Sequence, residues 1–334
     1  MDFFGYSIGP ELSMGKSDWL ESLELGKSED FDPEGEMWDL IFTKFANCLN
    51  QAKLPPKVGG CLHLSHSVSN QIADTSLFNI LPKYTAACEK FKQQIGFELG
   101  VHMTIIDANP LGKQFRSLFD EDMTNAHKLG ATTMVIHPQQ NFSYNQEKIL
   151  RLFGDRIVAP EICAKLRETK IILAWENTFD GQYASLEQLV RFRDHLCDRL
   201  KETGNQDLIP QHRFCLDTGH LCVWRAPFMT NQLAQQEIDT FLPQFAKDIK
   251  VFHIHANDGN KDFHITPRST ALLEHKTRQG LDLDRFQINS KQVEEWIQIC
   301  NQHAAVSNRH FQLEIDPPFT YDQVIEWGTI FKTL

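Results

Sequence analysis

The sequence predicts an α/β protein built as a closed (β/α)8 barrel, a TIM barrel, and two observations carry that prediction. Apolar runs ending in a histidine or a carboxylate recur along the chain: FELGVHM at His102, TTMVIHP at His137, KIILAWENT at Glu176, RFCLDTGHL at Asp217, VFHIHANDG at His255 and FQLEIDPP at Glu314. The first five endings lie 35, 39, 41 and 38 residues apart. A strand of about six residues, a helix of about fifteen and two loops fill one such interval, the size of a βα unit in a parallel sheet. The runs are continuously apolar rather than alternating, as in strands covered on both faces. A closed barrel gathers the carboxyl ends of such strands at one mouth, whereas an open sheet spreads them along an edge.

The elements follow in order. Phe3 to Ile8 is the first strand, and residues 10–55 hold an acidic insertion and a first helix over about 35–52. VGGCLHLSHSV is the second strand, with His63 and His66 expected to be structural. Leu77 to Gln94 has helical periodicity. After His102 a helix is expected over about 114–129, after His137 one over about 145–166 with an interruption near Pro160, and after Glu176 one over about 185–203, where His195 faces the surface or packing. Gly219 is expected to loosen the turn after Asp217 so that His220 points back into the mouth. Helix 231–247, a long loop to about Leu281, a helix over about 290–303 and a closing helix over 321–332 complete the chain. It is expected to form one domain, 1–334, with the site-bearing core in 95–320.

The 334 residues are 41% hydrophobic, enough for one large core, and the formal charge of −11 argues against broad attraction to nucleic acid or to an anionic membrane. The opening MDFFGYSIGP has no basic n-region and no apolar run approaches a membrane span, so neither a signal peptide nor an anchor is expected and a cytoplasmic location is. Eight scattered cysteines without a CxxC motif read as reduced thiols.

The strand ends dictate the chemistry. Glu176, Asp217 and Glu314 placed together in a low-dielectric mouth would repel one another, and divalent cations resolve that conflict. His102, His137 and His255 add imidazole nitrogens, a mixture suited to Zn, Mn, Fe or Co rather than Ca or Mg. His220 lies three residues beyond Asp217, and Asp262 and His264 are an i, i+2 pair in the following loop. His253 shares strand parity with His255 and is expected below the metals, in packing or a contact behind the ligands. Arg268, Lys276 and Arg278 are candidates for a phosphate or sugar-phosphate clamp.

The ordered segments VHMTIIDANP, AHKLGATTMVIHP, WENT, CLDTGHL, HIHANDG, DFH and LEI resemble the strand ends of the xylose-isomerase-like TIM-barrel superfamily (AP endonuclease family 2), most closely its endonuclease IV branch. The resemblance implies three metals: one on His102, His137 and Glu176; one on Glu176, Asp217, His255 and Glu314; one on His220, Asp262 and His264. Glu176 and Glu314 would be the catalytic carboxylates. A second likeness, to UV damage endonuclease, lies in FGYSIG, SHSVS and the His-Pro segment, where that family has lysine at the position of His253. The implied activity is phosphoester hydrolysis with two to three Zn or Mn ions, on abasic DNA or a smaller phosphoester. The alternatives are a sugar or sugar-phosphate isomerase or epimerase using Glu176, Asp217, His255 and Glu314, and a noncatalytic metal-binding protein.

Overall fold

The structure is a computed structural model that describes residues 3–8, 58–63, 98–103, 113–138, 146–178, 185–228, 231–268 and 273–314, with single helical positions at 43, 47, 86, 89, 90 and 326. Eight strands, β1 (Phe3–Ile8), β2 (Val58–His63), β3 (Glu98–His102), β4 (Thr133–Ile136), β5 (Ile172–Glu176), β6 (His212–Asp217), β7 (Ile249–Ile254) and β8 (His310–Leu313), pair in chain order. The pairings are parallel, and β1 also pairs with β8, so the sheet closes on itself. The insertion 10–36, His66, most of helices 35–52 and 77–94, and the closing helix fall outside the described residues.

Helices α1 (Lys113–Lys128), α2 (Gln146–Ile157), α3 (Pro160–Thr169), α4 (Leu186–Glu202), α5 (Thr218–Phe228), α6 (Asn231–Ala246), α7 (Leu273–Arg278) and α8 (Leu283–His303) occupy the intervals between strands. The break expected near Pro160 separates α2 from α3, and proline suits the first turn of α3 because its missing N–H has no intrahelical partner there. Ser185 caps α4 by accepting from the Gln188 amide at 3.2 Å, while Leu186, Leu189, Phe192, Leu196 and Leu200 line its buried face at helical spacing.

The structure corrects the sequence-based outline in three places. Helix α8 starts seven residues before Ser290, because Asp282 is an N-cap that accepts from the Arg285 amide at 3.2 Å. Ser290 lies inside the helix, its hydroxyl donating to the Phe286 carbonyl at 2.8 Å. The loop before it carries α7. Finally, α5 begins directly after Asp217, whose carboxylate caps it by accepting from the His220 amide at 2.6 Å.

Outward side chains of the strands pack on the helices. Trp175 meets Phe153 and Phe192 edge-on at 5.6 and 4.9 Å, Phe214 stacks on Phe245 at 4.1 Å, and Phe252 stacks on Phe311 at 4.5 Å. Inward, Val135, Ala174, Cys215 and Val251 form a second, smaller apolar cluster. That inner layer is the floor on which the polar strand ends stand.

Candidate metal centre

Successive inward positions of a strand are two residues apart. One step beyond the floor layer stand His137 above Val135, Glu176 above Ala174, Asp217 above Cys215 and His253 above Val251. Asp217 and His253 are also register partners across β6 and β7. The pleat therefore sets these four polar side chains at similar depth.

Glu176 is the shared member of this layer. Its Oε2 lies 3.2 Å from His102 Nε2 and 2.9 Å from His137 Nε2, and its Oε1 lies 3.0 Å from His253 Nδ1. His253 Nδ1 is in turn 2.9 Å from Glu314 Oε2 and 3.9 Å from Asp217 Oδ2. Two donor groups result, one of His102, His137 and Glu176 and one of Glu176, Asp217, His253 and Glu314, each with its ligand atoms within 4.8 Å of one another. Cys215 also comes within that distance of Glu176 and His253. Burial pushes its thiol well above the ordinary value, which keeps it protonated.

A third group lies toward the rim: His220, His255, Asp262 and His264. His220 Nε2 is 3.4 Å, and His264 Nε2 2.8 Å, from Asp262 Oδ2, while His255 Nδ1 is 3.7 Å from Asp262 Oδ1. The loop that presents Asp262 and His264 is closed at its base by paired backbone hydrogen bonds between Ala256 and Ile265, at 2.6 and 3.2 Å. His264 holds a left-handed backbone (φ 47°), uncommon for a residue with a Cβ.

The electrostatics suit cations. Burial opposes ionisation of Glu176, but the imidazolium charges of His253 and His137 and hydrogen bonds from His102 and His137 hold it well below the usual carboxylate range. Burial likewise opposes ionisation of Asp262, which His264 and His220 outweigh. Against the same penalty, Asp217, Asp262 and Glu176 raise His220, and Cys215, Glu314 and Glu176 raise His253. Imidazoles raised and carboxylates lowered in this way attract positive charge, which a divalent cation bound there would supply in place of protons. The donors also fit cations in detail. His255 Nδ1 and Asp262 Oδ1, 3.7 Å apart, are buried without hydrogen-bond partners, an arrangement that costs free energy unless something fills it.

The family model described as a xylose isomerase-like TIM barrel matches residues 64–315 of the chain. The chain belongs to that family. A search of curated proteins finds no match. Among solved structures, the family member is similar to a zinc-bound IOLI protein, at 14% identity and a TM-score of 0.53 over 99% of this chain and 96% of that one. Endonuclease IV from Thermus thermophilus matches at 11% identity and a TM-score of 0.50 over 99% and 100%. D-Allulose 3-epimerase from Methylomonas sp. in complex with D-allulose matches at 8% and 0.50 over 99% and 96%. At these identities the likeness is one of fold.

Within the family's barrel, the sequence-derived residues His102, His137, Glu176, Asp217, His220, His255, Asp262, His264 and Glu314 all converge on the mouth. Their partition differs from the one the resemblance implies. His253, expected below the metals, stands between Glu176 and Glu314. His255, two residues further along and past the end of β7, keeps Nε2 3.0 Å from Asp217 Oδ1 and also neighbours His220, Asp262 and His264. Gly219 is helical rather than a loose turn, and its bare Cα makes room for the His255 ring: a Cβ there would sit 1.9 Å from Cε1. His63 ends β2 in register with His102. Of the basic candidates, Arg268 is bound to Glu294, with Nε donating to Oε1 at 2.6 Å, and Arg278 pairs with Glu274 on the exposed face of α7. Lys276 is buried, its ammonium 5.9 Å from the centre of the Phe263 ring. Two of the three expected clamp cations are thus engaged by carboxylates. Cys163, Cys197, Cys215 and Cys300 are free and buried, and no helix among the described residues is long and apolar enough to cross a membrane.

Proposed function

We propose that this family member is a divalent-cation-dependent phosphoester hydrolase acting on abasic-site DNA or a smaller phosphoester, with Zn or Mn as its metal. The observation that carries this reading is the division of Glu176: one oxygen faces His102 and His137, the other faces His253. A carboxylate so divided suits two adjacent cations, the arrangement that in-line phosphoryl displacement requires. Two cations held there would polarise the phosphoryl oxygens, promote ionisation of the attacking water and stabilise the departing alkoxide.

The residues themselves orient, exclude water and handle charge. His102 donates from Nδ1 to the Met103 carbonyl at 2.7 Å, which orients the ring with Nε2 toward Glu176 and His137, the nitrogen that a cation would take. Asn177 accepts from the Asp217 amide at 2.8 Å and donates to the Asp217 carbonyl at 2.9 Å, so the ends of β5 and β6 are locked at one height. Glu176 and Asp217 are sealed from solvent, whereas the Glu314 side chain is 13% exposed. Glu314 is therefore the inner carboxylate placed to orient an attacking water. Helix α5 starts at the same mouth, and its N-terminal dipole favours negative charge there.

One observation favours a second reading. Glu176, Asp217, His253 and Glu314 together are sufficient for a single cation, which is all that a sugar isomerase or epimerase of this fold would need. The deciding experiment strips the protein with chelator, reconstitutes it with Zn or Mn, and measures cations per chain alongside cleavage of abasic-site DNA and bis-p-nitrophenyl phosphate. At least two cations per chain, and hydrolysis abolished in Glu176→Ala, are expected. One cation per chain with ketose epimerisation and no phosphoester cleavage would overturn the hydrolase reading.

A further inference from the structure

We propose that Gln312 is a positioning residue for the cation centre: through one buried water it holds His253 by Nε2–H, so that Nδ1 serves a cation between Glu176 and Glu314. The proposal rests on the reading above only in that the mouth binds divalent cations.

The strand decides where this side chain goes. In β8, Phe311 points outward and stacks on Phe252 at 4.5 Å, so its neighbour Gln312 points into the barrel. The ladder continues past the strand, where the Glu314 amide donates to the Ile254 carbonyl at 3.3 Å, and Glu314 faces inward two residues above Gln312. Across the β7–β8 pairing Gln312 is the register partner of His253. Paired strands run about 4.8 Å apart, so the amide and the imidazole are inward neighbours that one water can bridge. On the other flank Gln312 is in register with Gly5, and Gly5 with Gly59. The row of inward side chains that starts at His253 therefore ends at Gln312, with only hydrogens at the next two positions.

The amide has an unmet need. Gln312 is fully buried, and neither Oε1 nor Nε2 has a hydrogen-bond partner in the protein. Buried amides are almost always paired, because an unpaired one loses its hydration without return. A buried water needs two to four polar partners and room beside them. The Gln312 amide and His253 Nε2, next to two glycine positions, supply both.

The imidazole has the complementary need. Metal-binding histidines characteristically donate their other ring N–H to a carboxylate, a carbonyl or a water, which orients the nitrogen left for the metal. The Met103 carbonyl holds His102 in this way at 2.7 Å, and the Asn177 carbonyl holds His220 at 2.8 Å. His253 presents Nδ1 to Glu176 at 3.0 Å and to Glu314 at 2.9 Å, while its Nε2 is buried without a hydrogen-bond partner. The Cys215 thiol also approaches this residue, but sulfur is a weak acceptor. A water that accepts from Nε2–H and donates to Gln312 Oε1 completes the set.

The test compares Gln312→Met, which keeps length and bulk without the amide, with Gln312→Glu, which keeps an acceptor, each in the wild-type and His253→Ala backgrounds. Gln312→Leu is a second apolar replacement, and the metal-free Tm checks folding. Zn bound per chain is measured by elemental analysis against chelator-buffered free Zn. Gln312→Met should weaken one Zn equivalent about 10- to 100-fold, Gln312→Glu should bind that equivalent as tightly as wild type or tighter, and Gln312→Met should add less than about twofold once His253 is alanine. In Zn-loaded protein labelled with 15N at histidine, the His253 Nε2–H signal, assigned by its loss in His253→Ala, should exchange at least about tenfold faster in Gln312→Met. Unchanged Zn binding in Gln312→Met, or an equal loss in both backgrounds, would overturn the proposal. So would a crystal structure of the Zn form in which the Gln312 amide bonds elsewhere. These measurements read Zn and not turnover, so absence of phosphoester cleavage with the expected Zn affinities would overturn the hydrolase reading alone.

Discussion

Gly219→Ala should destabilise the protein, against what helix propensity alone implies. Gly219 lies in the first turn of α5, where replacing glycine by alanine ordinarily stabilises a helix by up to about 1 kcal/mol. Here the new Cβ would fall 1.9 Å from His255 Cε1, 2.1 Å from Nδ1 and 2.5 Å from Nε2. The ring has little freedom to retreat: Nε2 is held by Asp217 at 3.0 Å, and the ring stacks on His264 at 4.2 Å. Its backbone is fixed as well, since Thr218 Oγ1 donates to the His255 carbonyl at 2.8 Å. Relief therefore requires breaking the His255–Asp217 contact or spreading α5 from β7. Overpacking together with a lost buried hydrogen bond to a charged group costs about 2–4 kcal/mol. At roughly 2 °C per kcal/mol for a chain of this length, the Tm of the metal-free protein should fall by about 4–8 °C. Calorimetry of chelator-treated wild type and variant measures this directly. An unchanged or raised Tm in Gly219→Ala would refute the placement of the His255 ring against this glycine.

Two further predictions use other parts of the barrel. His212 is buried between β6 and the helices, where Trp175 Nε1 donates to its Nδ1 at 3.3 Å; burial first, then Arg193 and Arg213, lowers its pKa to about 3. Between pH 6.5 and about 3 the unfolded chain therefore binds a proton that the folded chain does not. The contribution is fully present above pH 6.5 and is lost on acidification by about 1.4 kcal/mol per pH unit, so the urea stability of metal-free His212→Gln should fall less steeply than wild type between pH 6.5 and 4.5; parallel slopes would refute it. Arg268→Ala should cost less than about 1 kcal/mol and leave KM for a phosphoester unchanged, because its guanidinium is engaged by Glu294 at the surface. A KM raised tenfold would restore Arg268 to the phosphate-clamp role.

How much of this was legible in the sequence divides along physical lines. The barrel was, because an apolar run closing on a ligand-type side chain every 35 to 41 residues leaves few other architectures. The α2–α3 break was, because proline sits at a helix start for a local reason. The start of α8 lay in plain view as Asp282-Leu283-Asp284-Arg285, yet it was hidden by weakly patterned first turns in which Leu283 and Ile288 are exposed. Helix α5 was missed because glycine after a strand suggests a turn, and the reason for that glycine is a contact with a ring 36 residues away, which no local pattern contains.

The placement of His253 and His255 was the hardest part to read, and the cause lies in the strand itself. In VFHIHAND both histidines point inward, because they are two residues apart, so parity cannot rank them. What ranks them is depth. Val135, Ala174, Cys215 and Val251 are mutual neighbours in the floor, and the polar residue two places beyond each of the first three is His137, Glu176 or Asp217. Continuing from Val251, the same step gives His253, and a further one gives His255, buried where the Asp262 loop meets it. The motif resemblance fixed attention on the His255-Ala256-Asn257-Asp258 run and so on the upper histidine. Yet that run has its own task. Asn257 donates to the Gly219 carbonyl at 2.8 Å, and Asp258 accepts from the Asn260 and Asp282 amides at 2.8 and 3.0 Å. The motif thus builds the loop that carries Asp262 and His264, and His255 reaches both ways, with Nδ1 3.7 Å from Asp262 Oδ1 and Nε2 3.0 Å from Asp217 Oδ1, while the lower histidine stands between Glu176 and Glu314.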